Sequence, residues 1–358
     1  MDDRREQDGS LRPLASPRES GRSLDGSLIQ VASLSKLFRV SRKREGARFP
    51  SLLRRETIEV RAIENVTFSV QAGEMVGYIG PNGAGKSTTI KMLTGILVPT
   101  SGLVRVAGLE PTRKRTELAK RIGVVFGQRT QLWWDLPLRD SFELLRHIYR
   151  VPAQRHAFNL ARCVALLDMG PFLATPVRQL SLGQRMRGEV TAALLHDPEI
   201  LFLDEPTIGL DVVAKARLRE FLLHINAQQR TTVLLTTHDM GDIERLCSRL
   251  MIVDRGGLIY DGDIEGVRHQ FGAERTVIVD LEAESAPIAI AHVAVVRIEG
   301  PRQWLRFRRD EISAAEVIAA VARSVPIVDL TVEEPLIEDI VRRLYESRAV
   351  AANPSQGK

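Results

Sequence analysis

Residues 80 to 87 read Gly80-Pro81-Asn82-Gly83-Ala84-Gly85-Lys86-Ser87, which matches the phosphate-binding pattern G-x-x-x-x-G-K-[ST] at every position. The glycines allow backbone N–H groups to point at phosphate oxygens without interference from a Cβ atom. Lys86 adds a positive charge for the terminal phosphates, and the Ser87 hydroxyl is a ligand for Mg²⁺. The stretch therefore predicts a loop that binds the phosphates of a nucleotide.

The sequence on either side of this loop fits a strand–loop–helix unit. The apolar run Met75–Ile79 precedes the loop and has the composition of a buried strand. The segment Thr88–Leu93 follows with a helical pattern, and the N-terminus of a helix favours a bound anion. We therefore group Thr88 with the loop residues as part of the nucleotide site.

A second motif supplies carboxylates. Four apolar residues, Ile200–Leu203, predict a buried strand, and Asp204 and Glu205 follow at its carboxyl end, where ligands of open α/β sheets gather. Asp204 is placed to hold Mg²⁺ through water. Glu205 comes next, where it can orient or deprotonate the attacking water. The two motifs together predict hydrolysis of a nucleotide.

Bulk composition excludes several classes of protein. The chain has 358 residues and a formal net charge of +5, which fits one large domain with a smaller one. No apolar run approaches the roughly 18 residues of a membrane span, and the N-terminus lacks the apolar core of a signal peptide. Cys163 and Cys247 lie in apolar helical patterns, so we expect buried thiols in a reducing, cytoplasmic setting.

Composition also divides the chain into four segments. Residues 1–26 are rich in charged and small residues, and we expect them to be a disordered tail. An α/β nucleotide-binding domain is predicted over 27–272 and a small α+β domain over 273–346. The remainder, 347–358, is expected to be a flexible tail.

Strand and helix patterns support this division. In the larger domain, strands are predicted around Ile29–Val31, Val104–Val106, Ile122–Phe126, Ile200–Leu203 and Thr232–Leu235, with a hairpin over residues 250 to 260. In the smaller domain, strands are predicted at Thr276–Leu281, Val293–Ile298, Trp304–Phe307 and Ile327–Val332, with helices predicted over 311 to 322 and 336 to 345.

Residues 39–61 interrupt the strand pattern with an excess of arginine and lysine. A solvated surface loop explains such a segment, and contact with anionic lipid headgroups near a membrane partner is the functional alternative. Nucleic-acid binding is less favoured, because Phe49 is the one aromatic residue placed to stack on a base. We expect a basic insertion within the nucleotide-binding domain.

The run Leu180-Ser181-Leu182-Gly183-Gln184 lies between the two motifs, and with it about 245 residues of the chain resemble the ABC ATPase family. The resemblance implies a P-loop NTPase fold of the ABC type with a helical subdomain. It implies that Gln128 senses Mg²⁺ and links to a transmembrane partner. It also implies that Ser181, Gly183 and Gln184 cap the ATP of a partner subunit.

Three further roles follow from the same resemblance. Asp211, in Gly209-Leu210-Asp211, would meet the opposite subunit, and His238 would contact the γ-phosphate. Phe38 sits where the family places an aromatic residue that stacks on adenine. The family signature usually has glycine where this chain has Leu182, so close packing of the dimer is in question at that residue.

Family architecture also implies cofactors and partners. ATP with Mg²⁺ would join two such domains, in a homodimer or a heterodimer, and hydrolysis would release them. A separate membrane permease would be driven from the cytoplasmic face of the cell membrane. The segment Asp329–Ile340 resembles the tail of drug- and antibiotic-resistance ATPases of the ABC-2 type, which are usually exporters.

The stretch after Gln128 holds two adjacent tryptophans, Trp133 and Trp134. In transporter ATPases this stretch faces the membrane subunit, and exposed aromatic residues are frequent interface anchors. Either one tryptophan lines a partner groove while the other packs in the core, or both pack inside. The rival function is a soluble ABC ATPase acting on ribosomes or nucleic acid, but the chain has a single phosphate-binding loop and no room for a long coiled coil.

Overall fold

A computed structural model describes residues 26–42, 56–127, 129–272 and 274–352. Gln128 lies outside the described residues, as do 43–55 of the basic insertion and almost all of the N-terminal segment predicted to be disordered. The structure thus leaves the predictions for those residues untested.

A six-stranded sheet forms the centre of the larger domain, with strand order β5-β6-β7-β3-β8-β9. Five of its strands are parallel and β9 is antiparallel to β8. Its strands are β3 (Met75–Ile79), β5 (Ile122–Phe126), β6 (Ile200–Asp204), β7 (Thr232–Thr236), β8 (Arg249–Asp254) and β9 (Gly257–Asp263). These bounds confirm the predicted buried strands and the hairpin, because continuous apolar runs suit parallel strands covered on both faces.

A second sheet of the larger domain is antiparallel, with strand order β2-β1-β4. Its strands are β1 (Ile29–Arg42), β2 (Glu56–Val70) and β4 (Ser101–Val106). The prediction of a loop over residues 39–61 is wrong at both ends of that range. There, β1 and β2 remain paired as far as Arg42 and Glu56. The pairs alternate in character: Val40 opposes Ile58 and Arg39 opposes Glu59, and this period of two fits a β-hairpin.

The larger domain has eight α-helices among its described residues. They are α1 (Lys86–Leu93), α2 (Arg115–Ala119), α3 (Leu138–Tyr149), α4 (Ala153–Leu166), α5 (Leu182–Leu194), α6 (Val212–Gln229), α7 (Met240–Leu246) and α8 (Ile264–Phe271). Helices α3 and α4 pack on α5 and form the predicted helical subdomain. Cys163 and Cys247 are both buried, as expected. Within the described ranges, no helix is both long and apolar enough to cross a bilayer.

The C-terminal region holds a four-stranded antiparallel sheet with strand order β11-β12-β10-β13. Its elements are β10 (Glu274–Leu281), β11 (Val293–Glu299), β12 (Arg302–Arg308), β13 (Ile327–Glu333) and the covering helix α9 (Ala314–Ser324). Helix α9 begins three residues later than predicted, because the side chain of Ser313 caps it in a reciprocal pair with Glu316.

The last helix, α10 (Ile337–Ala352), differs from its prediction in two ways. It continues past residue 346 to Ala352, through the first half of the segment expected to be a flexible tail. It also packs into the apolar core of the nucleotide-binding domain, through Ile337, Ile340, Val341 and Leu344, rather than onto the small sheet. The sequence predicted a helix here, but it did not predict the surface on which that helix packs.

Candidate active site

The loop after β3 requires glycine at two positions. Gly85 has a φ of 100°, and a Cβ atom there would lie 2.4 Å from Cδ1 of Ile63. A Cβ atom at Gly80 would lie 2.5 Å from the carbonyl oxygen of Val253. Both contacts are shorter than side chains tolerate, so the loop can hold its shape only with glycine there.

Lys86, near the end of this loop, is the first residue of α1 and is only 8% exposed. Its ammonium donates hydrogen bonds to the carbonyl oxygens of Gly80 at 2.7 Å and Pro81 at 3.3 Å. Burial lowers the pKa of Lys86, and the carboxylates of Glu205 and Asp204 act in the opposite direction. The positive charge therefore lies inside the loop, where the phosphates of a nucleotide would be its partners.

Asp204 and Glu205 stand at the carboxyl end of β6. The Thr236 hydroxyl donates to Oδ1 of Asp204 at 2.6 Å, which fixes the orientation of that carboxylate. Glu205 has a φ of 56°, a left-handed conformation that costs energy in a residue other than glycine. Nδ1 of His238 donates to Oε2 of Glu205 at 2.8 Å.

These groups line one cleft of about 900 Å³. The sequence-predicted residues that line it are Gly80, Pro81, Asn82, Gly83, Gly85, Lys86, Ser87, Thr88, Asp204, Glu205 and His238. Ala84 is buried beneath the loop instead, and its carbonyl accepts from the N–H of Gly256 at 3.2 Å. The cleft therefore combines a phosphate-binding loop with the proposed catalytic carboxylate and histidine.

Sequence reasoning missed other residues of this cleft, among them Ala62, Lys91, Ile96 and Arg129. Lys91 is one helical turn beyond Ser87, so helical spacing could have identified it. Arg129 follows Gln128 directly, in the stretch predicted to face a membrane subunit, and no role in the cleft was predicted for it. Ala62 reaches the cleft from the distant strand β2, for which the sequence carries no local signal.

The cleft also offers oxygen donors for a cation. No cluster of three or more His, Cys, Asp or Glu able to hold a metal ion occurs in the part of the chain that the structure describes. The Ser87 hydroxyl and the Asp204 carboxylate both line the cleft. So sparse a set of hard oxygen ligands suits Mg²⁺, which keeps several waters and takes further ligands from substrate phosphates.

A third predicted group lies elsewhere on the chain. Ser181 caps the N-terminus of α5, where its hydroxyl accepts from the N–H of Gln184 at 3.2 Å and Gln184 Oε1 accepts from the N–H of Ser181 at 2.9 Å. Ser181, Gly183 and Gln184 do not line the cleft. Leu182 packs toward Gly209: a Cβ atom added at Gly209 would lie 2.6 Å from Cδ2 of Leu182.

Two more predicted residues also lie outside the cleft. Asp211 caps the N-terminus of α6, where its carboxylate accepts from the N–H of Ala214 at 2.8 Å. Phe38 lies in β1 opposite Val60, with the ammonium of Lys36 5.2 Å from its ring centroid. Their roles toward a partner subunit and toward adenine stay predictions.

A buried charge network braces the loop that carries His238. The carboxylate of Asp242, fully buried on α7, accepts from Thr207 at 2.5 Å and pairs with Arg219 of α6. Asp239, directly after His238, pairs with Lys215 of α6 at 2.8 Å. The network connects the segment after Glu205, helix α6 and the histidine loop, so it fixes the segments that carry Glu205 and His238 relative to one another.

The tryptophan pair belongs to the segment that follows Gln128. Trp133 and Trp134 are 38% and 49% exposed, and Leu132 is the buried residue of this stretch. The expectation that at least one tryptophan would pack in the core is therefore wrong. Both indole rings are instead presented at the surface of the helical subdomain.

Comparisons with known proteins agree with this geometry. The family model described as "ABC transporter" matches residues 63–208. The ABC transporter ATP-binding protein NatA of Bacillus subtilis is 30% identical over 58% of this chain and 84% of its own length. Daunorubicin resistance ATP-binding protein DrrA3 of Streptomyces coeruleorubidus is 29% identical over 79% of this chain and 91% of its own.

A solved structure shows the same fold. It is the dimeric post-hydrolysis state of the ATP-binding cassette MJ0796 bound to ADP and phosphate, with a TM-score of 0.56. The likeness covers 66% of this chain and 98% of that one, at 23% sequence identity.

Proposed function

Because this chain belongs to the family of ABC transporter ATP-binding proteins, we propose that its ATPase activity drives an ABC-2-type membrane exporter. One observation carries the proposal: Lys86, Asp204, Glu205 and His238 line a single cleft with the phosphate-binding loop. The cleft thus combines groups suited to bind the phosphates of a nucleotide with groups suited to activate water against its terminal phosphate.

The residues divide the chemistry between them. Backbone N–H groups of the loop and the Lys86 ammonium bind the phosphates. Ser87 and Asp204, which line the cleft, would hold Mg²⁺, and the family resemblance implies Gln128 as a further ligand; the ion would supply positive charge to neutralise the phosphates. Glu205 orients and deprotonates the attacking water, and His238 positions Glu205 and contacts the γ-phosphate.

The site needs a second copy of an ATPase domain. Ser181 begins a capped helix whose N-terminus favours an anion, but neither Ser181 nor Gly183 lines the cleft of its own chain. A head-to-tail dimer would bring this helix N-terminus to the ATP of the partner subunit, together with Asp211. ATP would then hold the two subunits together, and its hydrolysis would release them.

The tryptophan pair is the proposed docking site for the permease. Trp133 and Trp134 are exposed large apolar residues on the helical subdomain, and aromatic residues of this kind dominate the energy of many interfaces. A permease seated there would keep this subunit on the cytoplasmic face of the membrane. Export as the direction of transport is supported by the likeness to the daunorubicin resistance protein.

Co-purification tests the proposal. The tagged full chain is expressed in its native host, membranes are solubilised in mild detergent, and the partners are identified by mass spectrometry. We expect a polytopic membrane protein in near-stoichiometric amount, which is absent from an untagged control. Recovery of ribosomes or nucleic acid without such a protein would favour the soluble ATPase instead.

A further inference from the structure

Glu189 is a carboxylate in the middle of α5 that is only 4% exposed. Its Oε1 atom accepts a hydrogen bond from the hydroxyl of Thr130. Its Oε2 atom accepts from the backbone N–H of Gln131 at 3.2 Å. A buried carboxylate is costly unless donors of this kind satisfy it, so its place in the fold depends on these two residues.

The link between α5 and this segment is reciprocal. The side-chain amide of Gln131 donates to the carbonyl oxygen of Glu189 at 3.2 Å. The Thr130 hydroxyl oxygen also accepts from the N–H of Leu132 at 3.1 Å, which closes a turn around that hydroxyl. Residues 130 to 132 are therefore held against α5 by hydrogen bonds from both main-chain and side-chain groups.

Two neighbouring positions of α5 bind the same segment. The guanidinium of Arg185 lies 5.7 Å from the ring centroid of Trp134. A Cβ atom at Gly188 would lie 2.8 Å from Cδ1 of Leu138, so the absence of a side chain there admits that leucine. Positions 185, 188 and 189 share one face of the helix, and this face carries residues 130 to 138.

The two bonded parts belong to different ATP sites of the proposed dimer. Helix α5 begins at Ser181, which the proposed dimer places against the partner's ATP. The segment begins beside Arg129, which lines the cleft of its own chain. Glu189 therefore connects helix α5, which faces the partner's ATP in the proposed dimer, to the segment beside Arg129, which lines the cleft of its own chain.

We propose that Glu189 is a positioning residue that fixes residues 129–132 to the signature helix α5, so that the two move together when ATP closes the dimer. The inference rests on the proposed function, since it assumes that closure on ATP is part of the reaction. Without this link, ATP still meets an intact phosphate-binding loop, but closure no longer places Arg129 correctly in the cleft. The turnover number should fall while the apparent affinity for ATP stays the same.

The test measures kcat and KM for ATP with the purified full-length chain. For Glu189→Ala and Thr130→Val we expect kcat to fall about tenfold, as misplaced catalytic groups do, with KM unchanged within about twofold. The double variant should be no slower than the slower single variant, because both remove one connection. Thr130→Ser keeps the hydroxyl and should restore the wild-type kcat.

Asn159→Ala is the matched control. Asn159 is fully buried on α4, and its amide donates to the carbonyl oxygen of Leu195, at the end of α5, at 3.0 Å. Its removal also deletes a buried hydrogen bond on this helix, so the melting temperature should fall while kcat per folded molecule stays at the wild-type level.

The outcomes separate the inference from the proposed function. A wild-type kcat in Thr130→Val, or a changed KM with kcat preserved, would overturn the role of Glu189 even though the chain remains an ATPase. An equal loss of kcat in Asn159→Ala would overturn it too, because the effect would then follow stability alone. A wild-type chain that does not hydrolyse ATP would overturn both proposals.

Discussion

The imidazole Nδ1 of His238 donates a hydrogen bond to Oε2 of Glu205 at 2.8 Å, across two loops that leave neighbouring strands. Glu205 adopts a left-handed backbone at a φ of 56°, which turns its carboxylate out of the strand direction and toward the cleft. A strained residue is retained only when its surroundings hold it. The pair therefore joins the segments that follow β6 and β7 at the wall of the cleft.

Replacing Glu205 by Gln should leave ATP binding intact and slow hydrolysis about 10²- to 10⁴-fold, because the amide cannot accept a proton. ATP that is not hydrolysed should keep two subunits together. Light scattering with Mg²⁺ and ATP should then show a mass that rises from the 39.9 kDa of one chain toward twice that value. Glu220→Gln, a matched change at an exposed position on α6, should remain monomeric after turnover; a Glu205→Gln variant that turns over normally would exclude the catalytic role.

Replacing Lys86 by Ala should weaken ATP binding about tenfold to a hundredfold, since it removes a charged hydrogen-bond donor from the phosphate site. Isothermal titration with a non-hydrolysable ATP analogue measures the change. Lys114→Ala removes an equivalent charge that pairs with Glu117 at the surface, so it should bind as the wild type does. Equal affinities in all three proteins would remove Lys86 from the site.

Replacing Trp133 and Trp134 together by Ala should abolish coupled transport and leave the basal ATPase rate unchanged, because both rings are exposed and neither lines the cleft. Transport in vesicles that contain the permease, measured beside phosphate release, distinguishes the two effects. Trp304→Ala provides the control, since that ring lies in the C-terminal sheet, where Arg297 stacks over it at 4.7 Å. Normal transport by the double variant would refute the docking role.

Helix α10 should contribute to the stability of the nucleotide-binding domain. Ile340→Ala removes a buried side chain from that core, and we expect a loss of about 2 to 5 kcal/mol in the free energy of unfolding. Urea titration of the full chain measures this loss. Leu336→Ala, at a position that is 64% exposed, should change the free energy by less than about 0.5 kcal/mol; similar values for the two variants would mean that α10 does not pack there.

Both cysteines should resist alkylation in the folded chain. Burial raises the pKa of Cys163 to about 11 and that of Cys247 to about 12, so neither forms the reactive thiolate near neutral pH. The unfolded thiols ionise near pH 8.5, so the stability that these groups contribute is complete below that pH and is lost as the pH rises toward 12. Iodoacetamide at pH 8 should label the native chain far more slowly than the chain in guanidinium, and fast native labelling would contradict this burial.

The sequence was sufficient to predict features that depend on residues contiguous in the chain. The phosphate-binding loop, the strand ending at Asp204 and the parallel strands around them were all predictable, because glycine positions and apolar runs act locally. Tertiary contacts were not: the packing of Leu182 toward Gly209 and the bond between Glu189 and Thr130 join residues far apart in the chain. The ends of β1 and β2 within the basic insertion were missed because the many charged residues obscured the alternation of apolar and charged side chains along these strands.

Release of inorganic phosphate from Mg²⁺ and ATP, by the wild-type chain and by Glu205→Gln under identical conditions, tests the central claim most directly. The account predicts steady turnover by the wild type and a loss of at least about a hundredfold in the variant, with equal nucleotide binding in both. Equal rates of phosphate release in the two proteins, or no release by the wild type, would contradict it.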